Sequence, residues 1–222
     1  MIKALVIGAT GLVGRHLTLR LLDDPRFESV VVFSRRAIGM KHERLVEHII
    51  DFDKPQSWHH LVTGDVLFSS LGSTLKKAGG KKQQFEVDYT YQYGFAKAAS
   101  DHGVPTLVLV SSAGANPGSA FFYMRMKGQL ERDVMKLPFR QLVLIRPGPL
   151  QGKRSETRRG EKAGVLLIRG LNRLGLFLRH KPIDGDLVAR AMINASFGQR
   201  LGTDVYSLDE LFVLAGHNVK TV

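Results

Sequence analysis

A glycine run near the amino terminus, Gly8-Ala9-Thr10-Gly11-Leu12-Val13-Gly14, restricts the fold more than any other part of the sequence. Before it lies a short apolar run, Lys3 to Gly8, suited to a strand buried on both faces. After it, Leu12 to Leu22 carries apolar residues at helical spacing, and Asp23-Asp24-Pro25 stops that helix. Each glycine has a job where a strand turns into a helix. One permits the tight turn, one lets backbone N–H groups approach an anion, and one lets the helix lie close against the strand. The helix N-terminus adds the positive end of its dipole. The spacing is G-x-x-G-x-x-G rather than the commoner G-x-G-x-x-G, but its place after the first strand gives it the same meaning. It predicts a diphosphate cradle for a dinucleotide, formed by Gly8, Thr10, Gly11, Leu12, Val13 and Gly14.

Strand and helix signals then alternate. Ser29 to Phe33, Val46 to Ile50, Asp65 to Ser69, Thr106 to Val110 and Leu142 to Ile145 read as further strands. Between them come a short helix at Pro55 with Asp53 as its cap, a long helix from Gln83 to His102 closed by Gly103, and a helix from Phe121 to Lys136. This order predicts an α/β protein with a doubly wound parallel sheet of the Rossmann type. Past Arg146 the pattern loosens. Lys153 to Lys162 reads as a basic surface loop, Ala163 to Leu178 as an amphipathic helix carrying Arg169 and Arg173, Asp184 to Phe197 as a helix, and Thr203 to Ala215 as a strand followed by a helix. The expectation is one NAD(P)-binding domain over residues 1–222. Its core spans about 1–150, and a small C-terminal substrate-covering part spans about 151–222.

Composition narrows the classes. The sequence has no cysteine, which excludes disulfides, thiolate metal sites and cysteine nucleophiles, and no metal site is expected. No apolar run approaches the ~18 residues that a membrane span needs. The chain runs directly into its first strand with no cationic leader, so a cytoplasmic location is expected. The formal net charge is +12, with basic clusters at Arg35-Arg36, Lys76 to Lys82 and Lys153 to Lys162. No nucleic-acid motif accompanies them, so a phosphorylated cofactor and a solvated surface are the expected reading rather than DNA or RNA.

The end of the second strand discriminates between cofactors. An acidic residue there binds the ribose 2′-hydroxyl of NAD, whereas arginine accommodates the 2′-phosphate of NADP. Here Ser34-Arg35-Arg36 follows Phe33 with no carboxylate in reach, which predicts NADP(H) over NAD(H) unless both arginines are merely solvated. Asp51-Phe52, after the third strand, is placed either to meet the adenine amino group or to cap the next helix.

The fifth strand ends in Ser111-Ser112, at the carboxyl edge where open α/β sheets bind ligands. Downstream, Tyr123 and Lys127 lie one helical turn apart on one face. A tyrosine can donate a proton to a developing alkoxide, a lysine ammonium lowers its pKa, and a strand-end serine can hold the carbonyl oxygen. The alternative is a half-buried aromatic beside a surface charge.

With these motifs in order, the sequence resembles the short-chain dehydrogenase/reductase superfamily, in its atypical branch, and is similar to the Tat-interacting-protein-like oxidoreductases. The likeness rests on Gly8 to Gly14, Asp51-Phe52, Leu71-Gly72-Ser73-Thr74, Val110-Ser111-Ser112, Tyr123-x-x-x-Lys127 and Arg146-Pro147-Gly148. It covers about residues 1–150 well and the rest loosely. It implies that Leu71, Gly72 and Ser73 line the cofactor and that Arg146, Pro147 and Gly148 pass near the nicotinamide. It also implies Ser112 as the family serine, with Ser111 beside it and Lys127 shared between cofactor and catalysis. Two features depart from the pattern: the short step from Ser112 to Tyr123, and Asp88 where many relatives carry asparagine. The implied activity is NADP(H)-dependent hydride transfer to or from a small carbonyl or enone. The alternative is an NADP(H) sensor acting through a protein partner.

Overall fold

The computed structural model describes residues 1–151, 182–198 and 200–216. The strands are β1 (Ile2–Ile7), β2 (Phe27–Ser34), β3 (Leu45–Ile49), β4 (Val66–Ser69), β5 (Thr106–Val110), β6 (Gln141–Arg146), β7 (Leu150–Gln151), β8 (Ile183–Asp184) and β9 (Gly202–Ser207). Seven of them form one sheet in the order β3-β2-β1-β4-β5-β6-β9, and β7 pairs with β8 separately. Every pairing is parallel. The order reverses between β1 and β4, which opens a crevice at the carboxyl ends of these two strands.

The longer helices are α1 (Leu12–Asp23), α5 (Tyr91–Asp101), α6 (Phe122–Val134) and α7 (Gly185–Ser196). Shorter ones are α2 (Pro55–Trp58), α3 (Leu75–Ala78), α4 (Lys81–Phe85) and α8 (Asp209–Leu214). Side chains alternate across a strand, so the central strands must feed two cores. Ala4, Val6, Val30 and Val32 pack with Leu17 and Leu21 of α1 and with Val188 and Met192 of α7. Leu5, Ile7, Val31 and Phe33 pack with Phe95 of α5 and Leu130 of α6 on the opposite face. This two-sided burial explains why β1 reads as an unbroken apolar run.

Several boundaries differ from the sequence expectation. β3 is shifted one residue earlier than Val46 to Ile50. The helix expected over Gln83 to His102 begins at Lys81 and contains a π-helical turn at Glu86–Thr90 between α4 and α5. Asp53 does not cap α2: Lys54 occupies the cap position, no side chain bonds there, and the Asp53 carboxylate accepts the Tyr91 hydroxyl at 2.8 Å instead. The loop expected at Lys153 to Lys162 and the helix expected at Ala163 to Leu178 lie outside the described residues. Among the described residues, no helix is long and apolar enough to cross a membrane.

The carboxyl-terminal segment helps to build the core. β9 pairs with β6 from Gln141↔Gly202 to Arg146↔Ser207. α7 starts against the first turn of α1, where a Cβ on Gly185 would stand 2.9 Å from Leu12 Cγ. Asp184 caps α7 by accepting the Asp186 N–H at 2.8 Å. Asp186 in turn accepts Arg20 Nε at 2.6 Å and Nη2 at 2.7 Å, with His16 Nδ1 3.5 Å away. This fork holds α1 to α7 at the protein surface.

The Arg20 guanidinium holds the Asp186 carboxyl below its ordinary range. A depressed folded-state pKa contributes stability above the unfolded value of about 3.9, and that contribution fades as pH falls through the folded value. Asp186→Asn is expected to lower stability at pH 7 by about 1 kcal/mol, the scale of a half-exposed charge-assisted pair. The gap from wild type should close in acid, as read by urea midpoints at pH 7 and pH 3.

Candidate active site

The turn from β1 into α1 is closed by backbone contacts that only glycine permits. Gly8 has φ +89°, and a Cβ there would stand 2.5 Å from the Ser70 carbonyl carbon at the end of β4. Gly11 N–H donates to Gly8 O at 2.8 Å. A Cβ on Gly14 would stand 2.1 Å from Gly8 O, so α1 starts in direct contact with the turn. No side chain caps α1 and no acid occupies its first turn. The N–H groups of Leu12, Val13 and Gly14, which the helix itself cannot satisfy, are therefore placed to meet an anion. Val13 is buried in the core and offers only its backbone, while Thr10 is exposed at the mouth.

At the end of β2, Ser34 Oγ donates to Arg36 O at 2.6 Å, and Arg35 and Arg36 are exposed. The expectation that no carboxylate is in reach is overturned, because strand pairing brings one in from β3. Glu47 of β3 lies 3.5 Å from Ser34 Oγ and accepts the Ile38 N–H at 2.7 Å. Parallel pairing of β2 with β3 sets Glu47 beside Val32, a neighbour that no local reading of Ser34-Arg35-Arg36 could supply.

Farther along this edge, Phe52 is buried and stacks on Tyr91 with ring centroids 5.2 Å apart. Asp51 is half-exposed, accepts the Asp53 N–H at 3.1 Å, and lies 3.3 Å from Lys54 Nζ. Burial and the bond to Asp53 push the Tyr91 phenol up.

Beyond β5 the chain crosses α6 at very short range. A Cβ on Gly128 would stand 2.2 Å from the Asn116 carbonyl carbon, and Asn116 N–H donates to Met124 O at 3.1 Å. This contact sets Ser112 near the Tyr123 hydroxyl, close enough to pull the phenol down, while Ser112 Oγ donates to Ala113 O at 3.3 Å. Ser111 is buried, and its Oγ has no partner among the described residues. Lys127 Nζ lies 6.0 Å from the Tyr123 ring centroid. The sequence-predicted serine, tyrosine and lysine are therefore brought together.

Asp88, in the middle of the π turn, joins them. Its Oδ1 lies 3.3 Å from Lys127 Nζ, and the two side chains are only 1% and 3% exposed. Its Oδ2 accepts the Ser73 N–H at 2.7 Å. Burial alone would lower the Lys127 ammonium, but Asp88, with Tyr123 and Glu131, outweighs burial and raises it. The phenol departs from the sequence expectation: although Tyr123 as a whole is 37% exposed, lost solvation at its hydroxyl pushes it up, and the lowering effect of Lys127 does not overcome it. Asp88 itself is raised by burial against the pull of Lys127.

The remaining segments take different positions. Ser73 joins the cluster through its backbone, Gly72 passes the Asp88 carboxylate with a Cβ position 3.5 Å away, and Leu71 packs on the α5–α6 core. Pro147 O accepts the Ala113 N–H at 3.0 Å, which fixes the stretch leading to Gly148 beside the serine loop. Arg146 is committed to a neighbour: its Nε and Nη2 donate to Glu131 at 2.9 and 2.5 Å. Glu47 and Glu131 are the residues that sequence reasoning did not place, and Asp88 it noted only as a departure from the family asparagine. Asp88 lies on a buried polar stripe with Gln84 and Gln92, four residues to either side.

Gly14→Ala is expected to lower stability by about 2–3 kcal/mol, the scale of overpacking against atoms that cannot yield. Thermal or urea unfolding reads it directly, and the nearby exposed Gly11, with 3.1 Å to Gly8 O, should tolerate alanine better.

Residues 38–181 match the HIM1 family. Protein FMP52, mitochondrial, of Saccharomyces cerevisiae is 39% identical over 168 residues, covering 74% of this chain and 72% of its own length. Protein fmp52, mitochondrial, of Aspergillus fumigatus is 34% identical over 230 residues, covering 99% and 97%. Among solved structures, MoeE5 in complex with UDP-glucuronic acid and NAD has a TM-score of 0.71 at 18% identity, covering 93% of this chain and 76% of that one. A short-chain dehydrogenase/reductase superfamily protein from Agrobacterium tumefaciens with bound NAD has a TM-score of 0.69 at 15% identity, covering 93% and 77%. The structural likenesses show the Rossmann-type fold, and none of these matches extends to the Tat-interacting-protein-like subgroup. The names of the relatives overturn the cytoplasmic expectation, because a strand at the amino end carries no information about compartment. The chain belongs to the HIM1 family and has a Rossmann-type fold.

Proposed function

We propose that this protein is a nicotinamide-dinucleotide-dependent oxidoreductase, preferring NADP(H), that acts on a small carbonyl or enone. The observation that carries this reading is the gathering of Ser112, Tyr123 and Lys127 at the carboxyl edge of the sheet, beside the uncapped start of α1. The diphosphate would lie on the N–H groups of Leu12, Val13 and Gly14, with Gly8, Thr10 and Gly11 shaping the cradle. Leu71, Gly72, Ser73, Ser111, Pro147 and Gly148 would border the nicotinamide half, and Asp51 and Phe52 the adenine. Arg146 contributes there by fixing Glu131 and α6.

The preference for NADP(H) rests on Arg35 and Arg36, which are exposed beside Ser34. Glu47 is the counterweight, and its bond to the Ile38 N–H turns it toward the loop backbone rather than toward a ribose. When bound, the reduced nicotinamide supplies a hydride. Ser112 would hold the substrate oxygen, Tyr123 would give it a proton, and Lys127 would hold its charge under the phenol. The substrate cover expected from Gly152 to Arg179, with Arg154, Arg158 and Arg159, lies outside the described residues, and the whole chain is proposed to act as one domain. The mitochondrial names of the FMP52 relatives direct the search for substrate to that compartment.

Calorimetry with NADPH and NADH tests the binding half, with at least about tenfold tighter binding of NADPH expected from one additional charge-assisted contact. A panel of aldehydes, ketones and quinones tests turnover. Tyr123→Phe should lower kcat by about 100-fold or more, the scale of a lost general acid, and leave the NADPH Kd unchanged. Tight NADPH binding with no turnover on any carbonyl would replace the enzyme by a sensor.

A further inference from the structure

We propose that Glu47 is a specificity-determining residue: its carboxylate clamps the loop over residues 34–38 in the shape that presents Arg35 to the adenosine 2′-phosphate of NADP(H). This rests on the dinucleotide-binding reading above and names what fixes the cofactor preference within it.

The loop is pinned at both ends and open between them. Ser34 and Ile38 are 6% and 7% exposed, whereas Arg35, Arg36 and Ala37 face solvent. Both pins come from the neighbouring strand. Ile50 N–H, just past β3, donates to Ser34 O at 2.8 Å and prolongs the β2–β3 ladder. Glu47 Oε1 accepts the Ile38 N–H at 2.7 Å, a bond that the negative charge strengthens. Between the pins, Ser34 Oγ donates to Arg36 O at 2.6 Å and closes a tight turn. The Ile38 side chain sits in the core shared with α1. Without Glu47, the N–H of this buried residue loses its acceptor, and the loop gains by opening toward water.

A carboxylate at this edge can also take a ribose 2′-hydroxyl, as an acid at the end of the second strand does, and so favour NAD(H). Glu47 is placed differently. It stands on β3 in register with Val32, short of the strand end at Ser34. The oxygen nearest Ser34 is the one that accepts the Ile38 N–H. The Ser34 hydroxyl, 3.5 Å from that oxygen, has a better acceptor in Arg36 O. The carboxylate is thus spent on the loop backbone, and it acts on the cofactor through the shape of that loop.

Arg35 is the residue so presented. It is the first past β2, where a 2′-phosphate is met in folds of this type. Burial pushes the Tyr91 phenol up and Arg35 opposes it, so the guanidinium is within electrostatic reach of the Phe52–Tyr91 stack that borders the adenine. A long side chain on a free loop would lose rotamer and backbone freedom on gripping a phosphate. A loop already fixed at Ser34 and Ile38 spares the backbone part of that cost, and only a 2′-phosphate draws on the difference.

Calorimetry with NADPH and NADH on two variants separates the clamp from the charge. Glu47→Gln and Glu47→Ala both remove the negative charge, but only glutamine keeps an oxygen for the Ile38 N–H. The preference for NADPH is expected to fall by about tenfold from Glu47→Gln to Glu47→Ala, through weaker NADPH binding at an unchanged NADH Kd. Equal preferences in the two variants overturn the proposal, and so does NADH binding weakened in both, as a ribose-binding carboxylate requires. Amide hydrogen exchange of the dinucleotide-free protein reads the clamp directly, with Ile38 expected to exchange about tenfold faster in Glu47→Ala than in Glu47→Gln. An Ile38 amide that exchanges in wild type at the rate of an unprotected chain overturns the proposal even if neither variant folds. Binding of neither dinucleotide to wild type would remove the oxidoreductase reading and this proposal together; intact wild-type NADPH binding distinguishes failure of the clamp alone.

Discussion

The contact between Gly14 and the Gly8 carbonyl is the constraint on which the rest of the structure depends. It brings the first turn of α1 within van der Waals reach of the end of β1, while Gly8 itself passes against Ser70 at the end of β4. Three backbone segments therefore meet at the point where the strand order reverses. Any side chain there would force them apart, widening the crevice and tilting α1 away from the sheet. Packing on both faces and the aim of the helix N-terminus follow from that approach.

A second close approach does the same on the other half of the sheet. Gly128 lets the loop after β5 lie directly on α6, and the loop in turn sets Ser112 near Tyr123. The lysine one turn along α6 then falls into the interior, where a bare ammonium is costly, and the π turn brings Asp88 to it. Each step in this chain is imposed by the preceding one. The result is a polar cluster inside an otherwise apolar contact between α5 and α6.

Much of this was legible in the residues. The glycine run, the apolar β1 and the strand–helix alternation carry the fold because each is a local pattern with a local cause. The Tyr123–Lys127 spacing was legible because both lie on one uninterrupted helix. Asp88 stood out only as a departure from the family pattern, and its pairing with Lys127 was not legible, because a π turn shifts helical phase and hides which face a residue takes. Glu47 was not, because it reaches Ser34 across a strand pairing. Asp53 was misplaced because a tertiary partner, Tyr91, competes successfully for its carboxylate.

The sequence by itself determined the order of strands and helices, the anion-binding turn and the presence of a tyrosine–lysine pair, since these follow from backbone conformation and short-range periodicity. The tertiary structure decided the charge state around that pair and the partners of Arg146, Glu47 and Asp53. Those depend on groups distant in the chain meeting at a few ångströms in a medium of low polarity, where each neighbour changes the energy of a charge by more than any local preference.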